Sequence, residues 1–112
     1  MTGSDDKIKV EIRSEAQRVT EGPKPYLAVF ERADVTVELF IPRESDTQGP
    51  HDRDELYIVV TGKGTFRRDK ELVRFGPGDL LFVAAQVPHR FESYSGDFKA
   101  WVIFFGNSRS RE

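Results

Sequence analysis

The sequence contains no cysteine, so it can form neither a disulfide framework nor a reactive thiolate. No apolar run approaches the roughly 18 residues that a transmembrane helix needs. Residues 1–7 are polar and acidic and lack the apolar core of a signal peptide. These absences predict a cytoplasmic protein without a membrane partner, in which any metal is bound by histidine, carboxylate, amide or water.

An excess of basic residues is also absent. The chain has 17 lysines and arginines against 19 aspartates and glutamates, and its formal net charge is −2. Because a nucleic-acid-binding surface normally shows a basic excess, the sequence predicts no nucleic-acid partner. The 112 residues are 38% hydrophobic, which is enough for one domain with a modest core.

No window of useful length places apolar residues at the spacing of an amphipathic helix, so we predict no helix longer than about two turns. Instead, about nine short apolar or alternating segments are separated by turn residues, which is typical of an all-β sandwich or barrel. We predict a flexible lead (residues 1–7), a β-barrel domain (8–105) and a polar tail (106–112), with a loop over residues 15–25. The predicted strands are residues 8–12, 26–30, 35–41, 56–60, 65–68, 72–75, 80–83, 89–94 and 98–105.

The chain has only two histidines, and each lies at the end of a predicted strand. His51 precedes the strand at residues 56–60, and His89 follows the strand at residues 80–83. Glu55 lies four residues after His51, so both side chains can point to the same face of a regular strand. Two imidazoles and one carboxylate form a ligand set for a divalent transition metal that leaves coordination positions open, as in the non-haem iron enzymes.

Each of these residues also has a simpler interpretation when it is taken alone. His51 could be an ordinary loop histidine, Glu55 could belong to a solvated acidic patch, and His89 could be a capping or core residue. Motif matches carry a real risk of false positives. However, the three residues lie in two stretches that each combine a predicted buried strand with turn residues, and this combination favours a metal site. Gln48 is a candidate fourth ligand if its loop rearranges.

The stretch around His51 resembles the first of the paired motifs of the cupin superfamily, a group of small double-stranded β-helix or jelly-roll barrels. That motif places two histidines before a glutamate and a glycine seven residues after it. Glu55 and Gly62 match the motif, and His51 matches its second histidine. The first histidine would fall at Gly49, which has no side chain to bind a metal.

The second cupin motif is matched by Gly78 and His89. Ala84, Gln86 and Ser93 stand where the motif has proline, glycine and asparagine. A set of four glycines within and between the two motifs is expected to supply turn geometry with positive φ: Gly62, Gly64, Gly76 and Gly78.

The resemblance implies a cupin barrel whose His51, Glu55 and His89 bind a divalent Fe, Mn, Ni or Zn ion. It also implies an oxygenase- or isomerase-type activity on a small organic molecule. Because one of the four usual ligands is missing, an alternative is a non-catalytic barrel that has lost the metal and binds or senses a small ligand.

The last predicted strand, residues 98–105, carries apolar side chains on both faces. The simpler explanation is a central strand that is flanked by other elements. The alternative is a homodimer interface, since such interfaces favour large aromatic residues. The cupin resemblance also favours a dimer, and we predict one.

Overall fold

The computed structural model describes residues 7–46 and 48–108. Residues 1–6 and 109–112, which make up most of the predicted lead and tail, lie outside the described residues. Within residues 7–46 and 48–108, no helix is long and apolar enough to cross a membrane. The described elements are α1 Ile12–Glu21, β1 Tyr26–Arg32, β2 Val35–Phe40, β3 Asp54–Thr61, β4 Gly64–Arg68, β5 Glu71–Phe75, β6 Leu80–Val83, β7 His89–Tyr94 and β8 Lys99–Phe105.

The eight strands form two antiparallel sheets, which confirms the predicted all-β jelly-roll architecture. The five-stranded sheet has the order β1-β2-β8-β3-β6, and the three-stranded sheet has the order β5-β4-β7. Aromatic side chains of both sheets meet in the core: the ring of Tyr57 on β3 lies 5.0 Å from that of Phe91 on β7. The inward faces of the two sheets therefore share one apolar interior.

The alternation of apolar and polar residues sets which side chains enter this interior. On β3, Glu55, Tyr57 and Val59 are buried, whereas Leu56 and Ile58 point to the outer face. Every predicted strand from residue 26 onwards corresponds to an observed strand, with ends that differ by at most two residues. Strand positions were predictable because the period-two pattern persists along most of the chain.

The amino-terminal prediction is wrong. Residues 8–12 do not form a strand, and most of the predicted loop at residues 15–25 is occupied by α1, a ten-residue helix of nearly three turns. Ile12, Ala16 and Val19 share one face of this helix, which packs on Val29 and Leu39 of β1 and β2. The strand at residues 8–12 was predicted from the alternation of only three apolar residues. The segment that follows forms a helix because its apolar face packs against the sheet.

The apolar outer face of β8 has an explanation in this packing. β8 lies in the middle of the five-stranded sheet, which confirms the simpler interpretation, and its Trp101 packs against the cluster that α1 covers. Beyond the helix, Leu80 and Phe82 of the edge strand β6 remain 60% and 44% exposed. They lie beside outward-facing residues of β3 and β8, and we call the whole group the outer apolar patch: Leu56, Ile58, Leu80, Phe82 and Ile103.

The four predicted turn glycines act in different ways. Gly62 and Gly78 have φ of 91° and 86°, as predicted, whereas Gly64 and Gly76 do not adopt positive φ. A Cβ atom at Gly64 would collide with the backbone carbonyl oxygen of Ser93 on β7. Gly64 therefore allows two strands to approach closely rather than supplying an unusual φ.

The contrast between two of these glycines gives a test of the fold. Gly64→Ala should lower the free energy of unfolding by roughly 3 kcal/mol or more, because the β4–β7 pairing must shift to accept the methyl group. Gly76→Ala is the control, since a Cβ atom there meets nothing within 4 Å, and it should change stability by less than about 1 kcal/mol. Urea unfolding midpoints would measure both changes, and equal midpoints for the two variants would contradict the assigned pairing.

Candidate metal centre

The three predicted ligands come from separate segments and converge inside the barrel. Glu55 is the second residue of β3, and its side chain is 1% exposed. His89 opens β7 in the opposite sheet and has a fully buried side chain, whereas His51 lies in the loop before β3 and is 35% exposed. One ligand atom from each residue lies within 4.8 Å of the other two. We call this group the His–Glu–His cluster.

Both histidines contact the same carboxylate oxygen. Glu55 Oε2 lies 2.9 Å from His51 Nδ1 and 3.3 Å from His89 Nε2. The other nitrogen of His89, Nδ1, donates to the backbone carbonyl of Val87 at 2.8 Å. Because a carbonyl can only accept, this bond keeps a proton on Nδ1 in both states of the ring. The protonated ring donates from Nε2 to Glu55, whereas the neutral ring leaves Nε2 free to bind a metal, which is the usual arrangement of a metal-binding histidine.

Gln48, the candidate fourth ligand, lies next to the cluster rather than in it. Its Oε1 atom accepts a hydrogen bond from the Tyr57 hydroxyl at 3.0 Å, and that hydroxyl lies 3.1 Å from His89 Nε2. Its Nε2 atom donates to Asp46 at 2.9 Å. Gln48 is therefore linked to the cluster through the Tyr57 hydroxyl.

Sequence reasoning missed two residues of this network. Tyr57 follows Glu55 by two positions on β3, so the strand period that placed Glu55 inward also signals an inward hydroxyl. Asp46 is buried and accepts hydrogen bonds from two backbone amides, that of Phe91 at 2.8 Å and that of Gln48 at 3.1 Å. It thereby joins the loop before β3 to β7, a contact between distant segments for which the sequence carries no local signal.

The cluster is arranged to hold a charged carboxylate. Burial raises the pKa of Glu55, but hydrogen bonds from His51 and His89 and their positive charge outweigh this effect and bring the pKa to about 2. Burial lowers the pKa of His89, but the hydrogen bond and charge of Glu55 outweigh it, so that this pKa is raised. The pKa of the Tyr57 hydroxyl is well above its usual value because of burial and the nearby Glu55 charge.

One unpaired atom provides a test of whether these residues fit a metal ion. Among the described residues, Glu55 Oε1 is the only buried side-chain nitrogen or oxygen that has no hydrogen-bond partner. A buried carboxylate oxygen without a partner is costly, and a cation would satisfy it. At the position of the missing cupin histidine, Gly49 offers no donor. The donor set therefore fits a divalent ion with three protein ligands and open positions.

A cavity of about 490 Å³ lies beside the cluster and includes His51 in its wall. Its volume falls in the range of small-molecule binding sites. Its wall combines apolar and polar side chains, among them Glu38, Phe40, Gln48, Arg53 and Phe104. A molecule in this cavity would lie against the His51 side of the cluster.

Comparisons with known proteins agree with this architecture. The cupin domain family model matches residues 36–104, which is more than half of the chain. A Streptomyces coelicolor protein described as uncharacterized is 31% identical over 81 residues, which cover 70% of this chain and 77% of that protein.

Solved structures of similar fold include proteins with different described activities. A putative mannose-6-phosphate isomerase from Ralstonia eutropha is 23% identical with a TM-score of 0.62, and the match covers 78% of this chain and 89% of the isomerase. The DMSP lyase DddQ from Ruegeria pomeroyi is 23% identical with a TM-score of 0.61, and the match covers 74% of this chain and 44% of the lyase. At this level of identity the similarity establishes the fold alone.

The opposite pKa shifts of Glu55 and His89 predict how the metal-free protein responds to pH. The stability from Glu55 is present above pH 4.5 and is lost as the pH falls from there towards about 2. The stability from His89 is present below pH 6.5 and is lost as the pH rises through its raised pKa. With a chelator present, the urea midpoint should therefore be highest between about pH 4.5 and 6.5.

A matched variant isolates the histidine contribution to this profile. His89→Gln should remove the part of the stability loss above pH 6.5 that belongs to His89. It should also reduce the loss on the acid side, because Glu55 then keeps only His51 to lower its pKa. If the chelated wild-type protein and His89→Gln lost stability equally between pH 6 and 8, the coupling of His89 to Glu55 would be contradicted.

Proposed function

This chain belongs to the cupin family, and we propose that it binds one divalent transition-metal ion through His51, Glu55 and His89 and acts on a small organic molecule. The observation that carries the proposal is the buried, unpaired Oε1 atom of Glu55, a carboxylate whose other oxygen contacts both imidazoles. A charged carboxylate with a free oxygen is the group that a cation would complete.

When bound, an Fe, Mn, Ni or Zn ion would supply Lewis-acid or oxygen-activating chemistry. The protein residues have separate tasks around it. Glu55 provides negative charge, and the Val87 carbonyl keeps the His89 ring in the orientation and tautomer that present Nε2. The Tyr57 hydroxyl lies 3.1 Å from His89 Nε2 and stays protonated because its pKa is raised. Its one proton is donated to Gln48 Oε1, so at the edge of the site its oxygen can only accept a hydrogen bond.

We propose an oxygenase- or isomerase-type reaction within this site. Three protein ligands leave coordination positions free, as a reaction on a bound molecule requires. The adjacent cavity of about 490 Å³ supports a small substrate rather than a polymer. The likeness in fold to a putative isomerase and a lyase is compatible with such chemistry.

A second candidate is a non-catalytic barrel that binds or senses a small ligand. It is favoured by Gly49, which is exposed and has no side chain where the usual cupin site has its first histidine. Both candidates use the same cavity, and they differ in whether the purified protein contains metal.

Elemental analysis of protein purified without added metal tests the metal site. We expect about one Fe, Mn, Ni or Zn ion per chain, and less below about pH 6, where the histidines must lose protons to bind it. His51→Ala, His89→Ala and Glu55→Gln should each lose most of the metal and keep a β-rich circular dichroism spectrum.

Glu92→Gln is the matched control for Glu55→Gln, because it removes a carboxylate on β7 that pairs with Arg67 away from the cluster. It should keep its metal. Full metal content in Glu55→Gln would contradict the site, and a metal-free wild-type protein that retains an organic ligand would favour the binding barrel.

We also propose that the protein is a homodimer that uses the outer apolar patch. The patch is apolar across three adjacent strands, and its Leu80 and Phe82 are more exposed than large apolar residues usually are. Pairing of two copies would cover it, whereas α1 covers only the other end of the sheet.

Light scattering tests the dimer. The wild-type protein should give about twice the chain mass of 12.8 kDa, and Leu80→Lys with Phe82→Lys should give the mass of one chain. Leu72→Lys is the control, because Leu72 is also half exposed but lies on β5 of the other sheet. A wild-type mass of one chain at micromolar concentration would contradict the proposal.

A further inference from the structure

The cavity beside the His–Glu–His cluster contains an acidic residue that the proposed metal site does not use. Glu38 lies in the middle of β2, and its strand partner is Val102 of β8, which in turn pairs with Tyr57 of β3. Directly paired residues share a face of a sheet, and Val102 and Tyr57 are both buried in the core. The Glu38 side chain therefore points into the barrel, and it forms part of the cavity wall.

Within the described part of the chain, the Glu38 carboxyl has no hydrogen-bond or ion-pair partner. The nearby guanidinium of Arg53 is directed elsewhere, to Thr36 Oγ1 at 3.0 Å and to the Asp34 carbonyl at 3.3 Å. Burial raises the pKa of Glu38, and the charge of His51 only partly opposes this. A carboxyl group that points into the cavity without a protein partner is available to form a hydrogen bond with a bound ligand.

We propose that Glu38 is a ligand-contacting residue of the cavity and that the ligand is a small, uncharged molecule bearing several hydroxyl groups. One hydroxyl would bond Glu38 while another oxygen faces the His–Glu–His cluster. This inference rests on the proposed function, since it names the ligand class of the same site.

The charges around the cavity favour a neutral ligand. Glu38, Asp46 and Asp52 lie in its wall and would repel an anion. Arg53 lies in the same wall and, together with a metal ion, would oppose a cation. A hydroxyl group can donate to a charged carboxylate and accept from a protonated one, so it satisfies Glu38 in either state.

The apolar part of the wall suits the carbon skeleton of such a molecule. Phe40 and Phe104 lie on the same inward faces of β2 and β8 as Glu38 and Val102, and all four line the cavity. Aromatic rings beside a few hydrogen-bonding groups are typical of a site that orients a small ligand. The aromatic rings can thus contact the C–H groups of the ligand, while Glu38 forms a hydrogen bond with one of its hydroxyl groups.

Ligand titrations followed by nuclear magnetic resonance test the inference. Isotope-labelled protein loaded with zinc would be titrated with xylitol and D-mannose as hydroxyl probes, succinate as an anion and butylammonium as a cation. The hydroxyl probes should shift amide signals around the cavity. Glu38→Gln should weaken their binding severalfold and Glu38→Leu by about tenfold or more, because the bond to the carboxylate is reduced and then lost.

Glu31→Gln is the control variant, since it removes an exposed carboxylate of the neighbouring strand that acts on Glu38 only through its charge. It should bind the hydroxyl probes as the wild-type protein does. Zinc content, measured on each sample, should be the same in all Glu38 and Glu31 variants, and the spectra report whether each variant is folded.

The outcomes separate this inference from the proposed metal site. Equal binding by the wild-type protein and Glu38→Leu would overturn the role of Glu38. Binding of succinate or butylammonium in preference to the hydroxyl probes, or of no probe, would overturn the ligand class. A protein that binds no zinc would overturn the proposed function instead, and the same titrations on that metal-free protein would still decide the role of Glu38.

Discussion

The buried carboxylate of Glu55 is the constraint on which the rest of the site depends. A charge with 1% exposure is tolerated only when it is paired, and here the partners come from a loop and from the opposite sheet. His51 and His89 both contact Oε2, which leaves Oε1 without a partner. The barrel thus brings together three polar groups that would otherwise be solvated, and the unpaired oxygen is the feature that a bound cation explains.

A chain of hydrogen bonds connects His89 to the loop before β3. It runs from His89 through Tyr57 and Gln48 to Asp46, which accepts the Phe91 amide of β7. Each link is buried or partly buried, so loss of one member would leave its neighbours unsatisfied. Through this chain the loop before β3 is fixed to the three-stranded sheet, and the same loop forms one wall of the cavity that Glu38 faces from β2.

The sequence predicted the strands and the three clustered residues for physical reasons. Strand alternation is a local pattern, and two histidines at matching motif positions leave few other candidates. The helix α1 was missed because only Ile12, Ala16 and Val19 mark its apolar face, and its stability depends on Val29 and Leu39 of the sheet. Asp46 and Glu38 were missed because their roles follow from contacts between segments that are distant in the sequence, which no short window of sequence contains.

The central claim is that the two imidazoles and Glu55 bind the same metal ion. X-ray absorption spectroscopy of the metal-containing protein tests it most directly, because imidazole rings scatter in a way that allows them to be counted. The account predicts two imidazoles per metal, with the remaining ligands oxygen, and a single imidazole in His51→Ala or His89→Ala reconstituted with excess metal. A wild-type spectrum with only oxygen ligands, or with one imidazole, would contradict it.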